Sequence, residues 1–270
     1  MLFRSLAVKR AAENLRASLE ACKELPIGGS AAGTGFNTHP DYAPTVVRHL
    51  AEITGLDLVP AADLCHAMQS MAPMAGTSAA LRNLALELTR IANDLRLLAS
   101  GPRTGFAEIQ LPAVQPGSSI MPGKVNPSMA ECLNMVAMQV IGNDTAVALA
   151  VQAGQLELNV FMPVIAHNVL SSIEILGNFL PVFTERCIAG IKAIADRCQH
   201  YFESSLGLAT LLNQHIGYTK AAEIAKESVK TGKTLRELIL EKGLMSEEDL
   251  NAALDPQRVT EPNDPSQEKE

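Results

Sequence analysis

The sequence contains no tryptophan, and aromatic residues make up only 4% of its 270 positions. A sheet-rich core leans on aromatic and β-branched side chains; here Ala, Leu and Met dominate instead, which favours helix. No apolar run approaches the roughly 20 residues of a membrane span, so no membrane partner is expected. The five cysteines (Cys22, Cys65, Cys132, Cys187 and Cys198) are scattered, odd in number and form no C-x-x-C pair. That excludes a disulfide framework or zinc ribbon and suggests reduced, mostly buried thiols in a cytoplasmic protein. None of the six histidines stands at metal-ligand spacing from another His or Cys, so neither a metal nor an organic cofactor is expected. A hydrolase-type G-x-S-x-G elbow is also missing. Positive charge is in short supply: 22 Lys and Arg face 29 Asp and Glu, for a net charge of −7. Such a balance argues against nucleic acid as a partner, and an anionic ligand would have to be met by a few well-placed cations.

What is present is length and hydrophobicity. At 47% apolar content the chain can bury a sizeable core. Met1–Arg16 carries Arg4, Lys9, Arg10 and Arg16 against a single acid, Glu13, and reads as the start of an amphipathic helix extending to Leu25, before Pro26. Gly28–Gly35 is a glycine-rich turn; it follows a helix rather than a strand and lacks Gly-Lys-Ser/Thr, so it is not a nucleotide loop. His39-Pro40-Asp41 opens a second helix ending near Thr54. Apolar residues at three- and four-residue spacing, from Leu64 and Met68 through Leu81, Leu88 and Leu98, predict one long helix over 60–100 with a bend near Pro73–Gly76. Gly101-Pro102 ends it. Further long helices are expected over 127–153 and 163–184, with shorter pieces over 191–205, 219–231, 234–241 and 246–254. The fold class is therefore all-α: a long up-down bundle over 1–185, a small helical tail domain over 186–255, and a polar, disordered terminus over 256–270.

Between the first two long helices lies Gly105–Pro127, aperiodic and broken by Pro112, Pro116, Gly117, Pro122, Gly123 and Pro127. Loops of this length in compact domains are usually functional. Its last part, Gly117-Ser118-Ser119-Ile120-Met121-Pro122-Gly123-Lys124-Val125-Asn126-Pro127, sets two hydroxyls, one cation and one amide just before a helix N-terminus. Asn126 is expected as the N-cap and Pro127 as the first helical residue. A helix start adds free backbone N–H groups and partial positive charge. Lys124 supplies charge, Ser119 and Asn126 supply directional donors, and the glycines allow close backbone approach. The combination suits a carboxylate.

This run, Gly-Ser-Ser-x-Met-Pro-x-Lys-x-Asn-Pro, resembles the signature of the fumarase/aspartase superfamily. The segments over 28–37, 91–103 (IANDLRLLASGPR), 140–144 (VIGND) and 155–160 (QLELNV) resemble the same family, and 215–226 resembles its fumarase-type tail. The resemblance implies a long helical bundle associating as a homotetramer and acting on a small dicarboxylate. It implies Ser118 as the general base; Ser119, Lys124, Val125 and Asn126 as substrate contacts; and Glu131 as the support of a catalytic histidine on another subunit. The family's active site joins three regions from three subunits. The sequence begins near the third, corresponding to the carboxy-terminal part, so a complementing amino-terminal fragment is a second expected partner beside further copies of the chain.

The reaction implied is that of a fumarate-forming carbon–heteroatom lyase. Ser128-Met129-Ala130-Glu131 and Gly154-Gln155-Leu156-Glu157 lean towards aspartate ammonia-lyase, whereas 161–168 and 215–225 lean towards the alternative, class II fumarate hydratase. A reading of another class is a non-catalytic helical assembly module. Apolar stripes over Leu81–Leu98 and Met135–Val151 exceed what a truncated bundle buries, which implies self-association.

Overall fold

The computed structural model describes residues 2–115, 117, 120, 121 and 123–260, and divides into two compact units, residues 1–192 and 193–270. The first unit is built on α1 (Leu2–Ser18), α4 (Ala72–Leu98), α5 (Ser128–Gln152) and α6 (Met162–Arg186). Each has one apolar face. On α4 it comprises Leu81, Leu84, Ala85, Leu88, Ile91, Ala92 and Leu95; on α5, Ala130, Leu133, Ala137, Val140, Val147 and Ala150. Their three- and four-residue spacing makes the two helices bury one shared core with Ile165, Val169, Leu176 and Phe183 of α6.

Polar ties fix how these helices run. Ser78 donates to Asp144 at 2.7 Å and Asn134 donates to Asn93 at 2.8 Å, so α4 and α5 are antiparallel. Arg4 donates from Nε to Asp94 at 2.9 Å while Cys22, just beyond α1, faces Thr77, so α1 is antiparallel to α4 as well. Asn143 of α5 donates to Ser172 of α6 at 3.0 Å inside the core. Buried polar side chains of this kind are tolerated because each finds a partner. The architecture is the all-α up-down bundle that the periodicity predicts.

The structure departs from the sequence reading at several element boundaries. The first helix stops at Ser18; Glu20–Lys23 is a 3₁₀ turn and β1 (Glu24–Leu25) pairs in parallel with β2 (Val59–Pro60). The predicted helix over 60–100 is two helices, α3 (Leu64–Gln69) and α4, separated at Ser70–Met71. Pro73 sits in the first turn of α4, where its missing N–H costs nothing. α2 (Tyr42–Thr54) ends as anticipated, on Gly55 in the left-handed conformation, with its N–H donated to Ala51. Gly33 packs so closely on the start of α3 that a Cβ would lie 2.2 Å from the Cys65 Cα, which is why the 28–35 turn is glycine-rich.

The second unit packs α7 (Ala195–Ser204), α8 (Ala209–Ile216), α9 (Tyr218–Thr231), α10 (Leu235–Glu241) and α11 (Glu247–Ala253) around Leu212, Ile224, Leu235, Leu238, Ile239 and Leu250. The sequence reading missed α8. Thr234 and Glu237 form a reciprocal capping box at the start of α10. Pro256–Val259 forms a short helix, α12, rather than the start of a disordered terminus; residues 261–270 lie outside those described.

All five cysteines are free, but only Cys187 is buried, where desolvation pushes its thiol up. The other four are partly exposed, contrary to the expectation of mostly buried thiols. Among the described residues no helix is long and apolar enough to cross a membrane.

Because Leu133 is wholly buried in the core that α4 and α5 share, Leu133→Ala should lower unfolding stability by about 2–5 kcal/mol. Urea denaturation of the two proteins provides the check; a loss below about 1 kcal/mol would mean that the seam repacks freely.

Candidate active-site loop

The loop between α4 and α5 is anchored before it reaches the signature. Ala107 donates its backbone N–H to Ser100 at 2.8 Å and Glu108 donates to Leu98 at 2.9 Å, folding the chain back onto the end of α4. Leu111 then inserts into the bundle core. From there the loop is closed by ties across its base. The Gln115 side-chain amide donates to the Ser128 hydroxyl at 2.8 Å, and that of Asn126 donates to the Gly117 carbonyl at 2.8 Å. Gly117 lies against Lys124 so tightly that a Cβ would fall 1.7 Å from the Lys124 carbonyl oxygen. Within the loop, Gly123 takes a positive φ of 77° and Lys124 donates its N–H to Met121 at 3.3 Å.

The start of α5 differs from expectation. Asn126 does not cap it and Pro127 is not its first residue. Pro127 occupies the N-cap position, no side-chain cap is formed among the described residues, and the Asn126 amide is turned to the loop base instead. A proline has no side-chain acceptor to offer, so the first-turn N–H groups keep their donor capacity. Lys124 and Val125 are exposed beside this helix start in sequence, and Lys124 has no acidic partner among the described residues. An unpaired cation together with an uncapped helix N-terminus is an arrangement that attracts an anion.

Glu131 lies in the first turn of α5 with its carboxylate 3.9 Å from the Arg96 guanidinium; both side chains are 43% exposed. Arg96 also donates to Asn93 at 3.4 Å, and Asn93 in turn accepts from Asn134. This cluster ties the end of α4 to the start of α5 next to the loop. Sequence reasoning missed Arg96, Gln115 and Ser128 as members of the site. The IANDLRL segment signalled the region, but only the antiparallel register puts Arg96 opposite Glu131. Of the predicted site residues, Lys124, Val125 and Asn126 share the loop base and Glu131 stands one turn into the following helix. Ser118 and Ser119 lie outside the described residues.

No histidine occurs between residues 99 and 131, so this chain's loop segment brings no imidazole of its own. Among the described residues no group of three or more His, Cys, Asp or Glu is arranged to hold a metal ion. A mainly apolar cavity of about 300 Å³, lined by Cys22, Leu25, His66, Met71, Met74 and Met162 among others, lies around the start of α4 and includes no signature residue.

Comparison with known proteins agrees with the loop's sequence and the bundle's shape. The lyase family profile matches residues 3–142, and that of the fumarase C C-terminus matches residues 208–261. The chain is 48% identical over 258 residues to an aspartate ammonia-lyase of Bacillus subtilis (strain 168), covering 96% of this chain and 54% of that protein. It is 47% identical over 247 residues to a class II fumarate hydratase of Pseudomonas syringae pv. tomato, covering 92% of this chain and 53% of the relative. In three dimensions it is similar to a fumarate lyase:delta crystallin from Brucella melitensis bound to cobalt, with a TM-score of 0.90 and 44% identity over 94% of this chain and 55% of that one. A class II fumarase from Schistosoma mansoni gives a TM-score of 0.88 at 33% identity, over 95% and 57% of the two chains. The chain spans about half the length of the curated relatives it matches. With the profile, the signature loop and the bundle in agreement, the chain belongs to the lyase family that includes aspartate ammonia-lyases and class II fumarate hydratases.

Proposed function

We propose that the chain carries the substrate loop of a fumarate-forming carbon–heteroatom lyase, acting as an aspartate ammonia-lyase on L-aspartate. The observation that carries this reading is the exposed Lys124, without an acidic partner among the described residues, next to the uncapped start of α5. Lys124 and the first-turn N–H groups hold a substrate carboxylate, with Ser119, Val125 and Asn126 completing the contacts. Ser118, ionised by the same positive field, takes the proton from the carbon next to that carboxylate. The C–H electron pair moves into the carboxylate to give an aci-carboxylate dianion, stabilised by donors already in place. Collapse of that dianion forms the carbon–carbon double bond and breaks the bond to nitrogen, releasing ammonia and fumarate. Glu131 supports a histidine supplied by another subunit.

Class II fumarate hydratase is the second reading, and the 47% identical fumarate hydratase supports it nearly as well. The first-turn sequence Ser128-Met129-Ala130-Glu131 favours the ammonia-lyase. Either chemistry needs groups outside this loop, so the active unit is an assembly with further copies of the chain or with an amino-terminal fragment. The outer face of α5 supports assembly: Met135, Met138, Gln139, Gly142, Thr145 and Leu149 form an exposed stripe without a charged residue. Most of the α4 stripe is already used within the chain, where Leu81, Leu84, Leu88, Ile91 and Leu95 are buried.

Sedimentation velocity at micromolar concentration should reveal an oligomer, and Met135→Glu combined with Met138→Glu should shift it towards monomer; a parent protein that is monodisperse as a monomer contradicts the assembly.

Activity is to be measured after co-expression with the amino-terminal half of an aspartate ammonia-lyase, by following fumarate absorbance. L-aspartate should yield fumarate faster than L-malate. Lys124→Met should weaken substrate binding by about ten- to a hundred-fold, the contribution of one charge-assisted hydrogen bond. Ser118→Ala should lower turnover by about 10²–10⁴-fold with little change in binding. Faster fumarate production from L-malate would assign the hydratase reaction instead, and a Ser118→Ala protein as active as the parent would remove the serine base.

A further inference from the structure

The cleft of about 300 Å³ at the start of α4 has no part in the loop chemistry. It opens where the chain breaks at Ser70–Met71. The end of α3, the first turn of α4, the start of α6 and the Glu24–Leu25 strand converge on it. Close-packed interiors leave few voids larger than a water molecule, so a space of this size is not residual slack. Ile165 is buried, Leu25, Met71 and Met74 are half-buried, and Met162 is exposed, so the cleft leads from the core to the surface. The methionines are flexible and polarizable, and their sulfurs favour contact with an aromatic ring. The Cys22 thiol is turned to Thr77 at 3.3 Å. The other polar side chains in the lining are Glu24, His66 and Ser70. Glu24 accepts the Ala62 N–H through one carboxylate oxygen at 2.7 Å. Its second oxygen, the His66 ring and the Ser70 hydroxyl have no hydrogen-bond partner among the described residues. Mainly apolar walls with a few polar groups to fix orientation are the makeup of a small-molecule site.

We propose that this cleft binds a small neutral aromatic molecule of two fused rings carrying one N–H or O–H donor. The size follows from the volume. A cavity of about 150 Å³ takes a single benzene ring, and twice that space takes a bicyclic one. A helix from another chain, about 10 Å across, does not fit. The rings lie against Met71, Met74 and Met162, restoring the dispersion contacts that the open walls lack, and the donor meets the Glu24 carboxylate or the His66 ring. The same carboxylate repels an anion, so a dicarboxylate is excluded. The cleft lies at the start of α4 and the signature loop leaves its other end, a helix length of about 40 Å away. The inference therefore does not rest on the lyase reading.

Indole is the probe, titrated into the full 270-residue chain isotopically labelled at the methionine methyl groups. The Met71, Met74 and Met162 methyl resonances should shift saturably, with a Kd below about 1 mM, while those of Met135 and Met138 on α5 stay in place. Benzothiophene, of similar shape but without the N–H, should bind about fivefold more weakly, the effect of one hydrogen bond. Fumarate should not displace indole. Ala67→Leu from α3 and Ala166→Leu from α6 each fill the cleft and should abolish the shifts; unmoved Met135 and Met138 signals in these variants establish that the fold is intact. Absence of a saturable shift, equal shifts at Met135 and Met138, or an unchanged titration in both filled variants overturns the proposal. Benzothiophene bound as tightly as indole overturns the donor assignment, and displacement by fumarate overturns the exclusion of dicarboxylates. Indole should still bind after co-expression with the amino-terminal half of an aspartate ammonia-lyase. Loss of binding there assigns the cleft to a contact between fragments and overturns the proposal as well.

Discussion

From Ser78–Asp144 near one end to Arg96–Glu131 at the other, α4 and α5 share an antiparallel seam of Leu, Ile and Ala side chains with polar pairs set along it. The apolar contacts supply the energy but would tolerate a slide of one helical turn. The polar pairs would not: a slide would strand Asp144 and Asn134, each largely buried, without partners, and an unpartnered buried group costs more than its hydrogen bond contributes. The register they impose fixes the distance between Leu98 and Ser128, the two ends that the signature loop must join. α1 reinforces the same end through Arg4–Asp94. The loop is thus held by the bundle even though it makes little core of its own.

The helices were readable because their periodicity and their burial have the same cause. Leu81, Leu84, Leu88, Ile91 and Leu95 recur at helical spacing and line the core, and the same holds for Leu133, Ala137 and Val140. Boundaries were harder. Pro73 and Gly76 suggested a bend inside one helix over 60–100, but the chain breaks earlier, at Ser70–Met71, and the proline starts the next helix. The start of α5 was misread for a related reason. Asn126 has the chemistry of an N-cap, yet the closing loop offers it the Gly117 carbonyl, and local propensity yields to that longer-range bond. α8 was missed because Leu211, Leu212 and Ile216 offer too short a run to establish a period.

The candidate site divides in the same way. The signature residues Lys124, Val125 and Asn126 were legible as anion-loop chemistry because charge, donors and glycines are contiguous. Their supports were not. Gln115 meets Ser128, and Arg96 meets Glu131, only after the loop has closed and the helices have paired, and no spacing in the sequence encodes either contact. The exposed, charge-free face of α5 could be suspected from composition. That Leu81, Leu84, Leu88, Ile91 and Leu95 of α4 are buried inside the chain could not, since both stripes read alike until it is known which neighbour each helix faces.

The central claim is that Lys124 and the uncapped start of α5 receive a substrate carboxylate. It is tested most directly by hydrogen exchange at residues 117–131 of the assembled, active enzyme as fumarate is added. The account predicts slowed exchange at those residues with saturable dependence on fumarate, and its loss in Lys124→Met. Saturable protection that falls elsewhere in the bundle, leaving 117–131 unchanged, would contradict it.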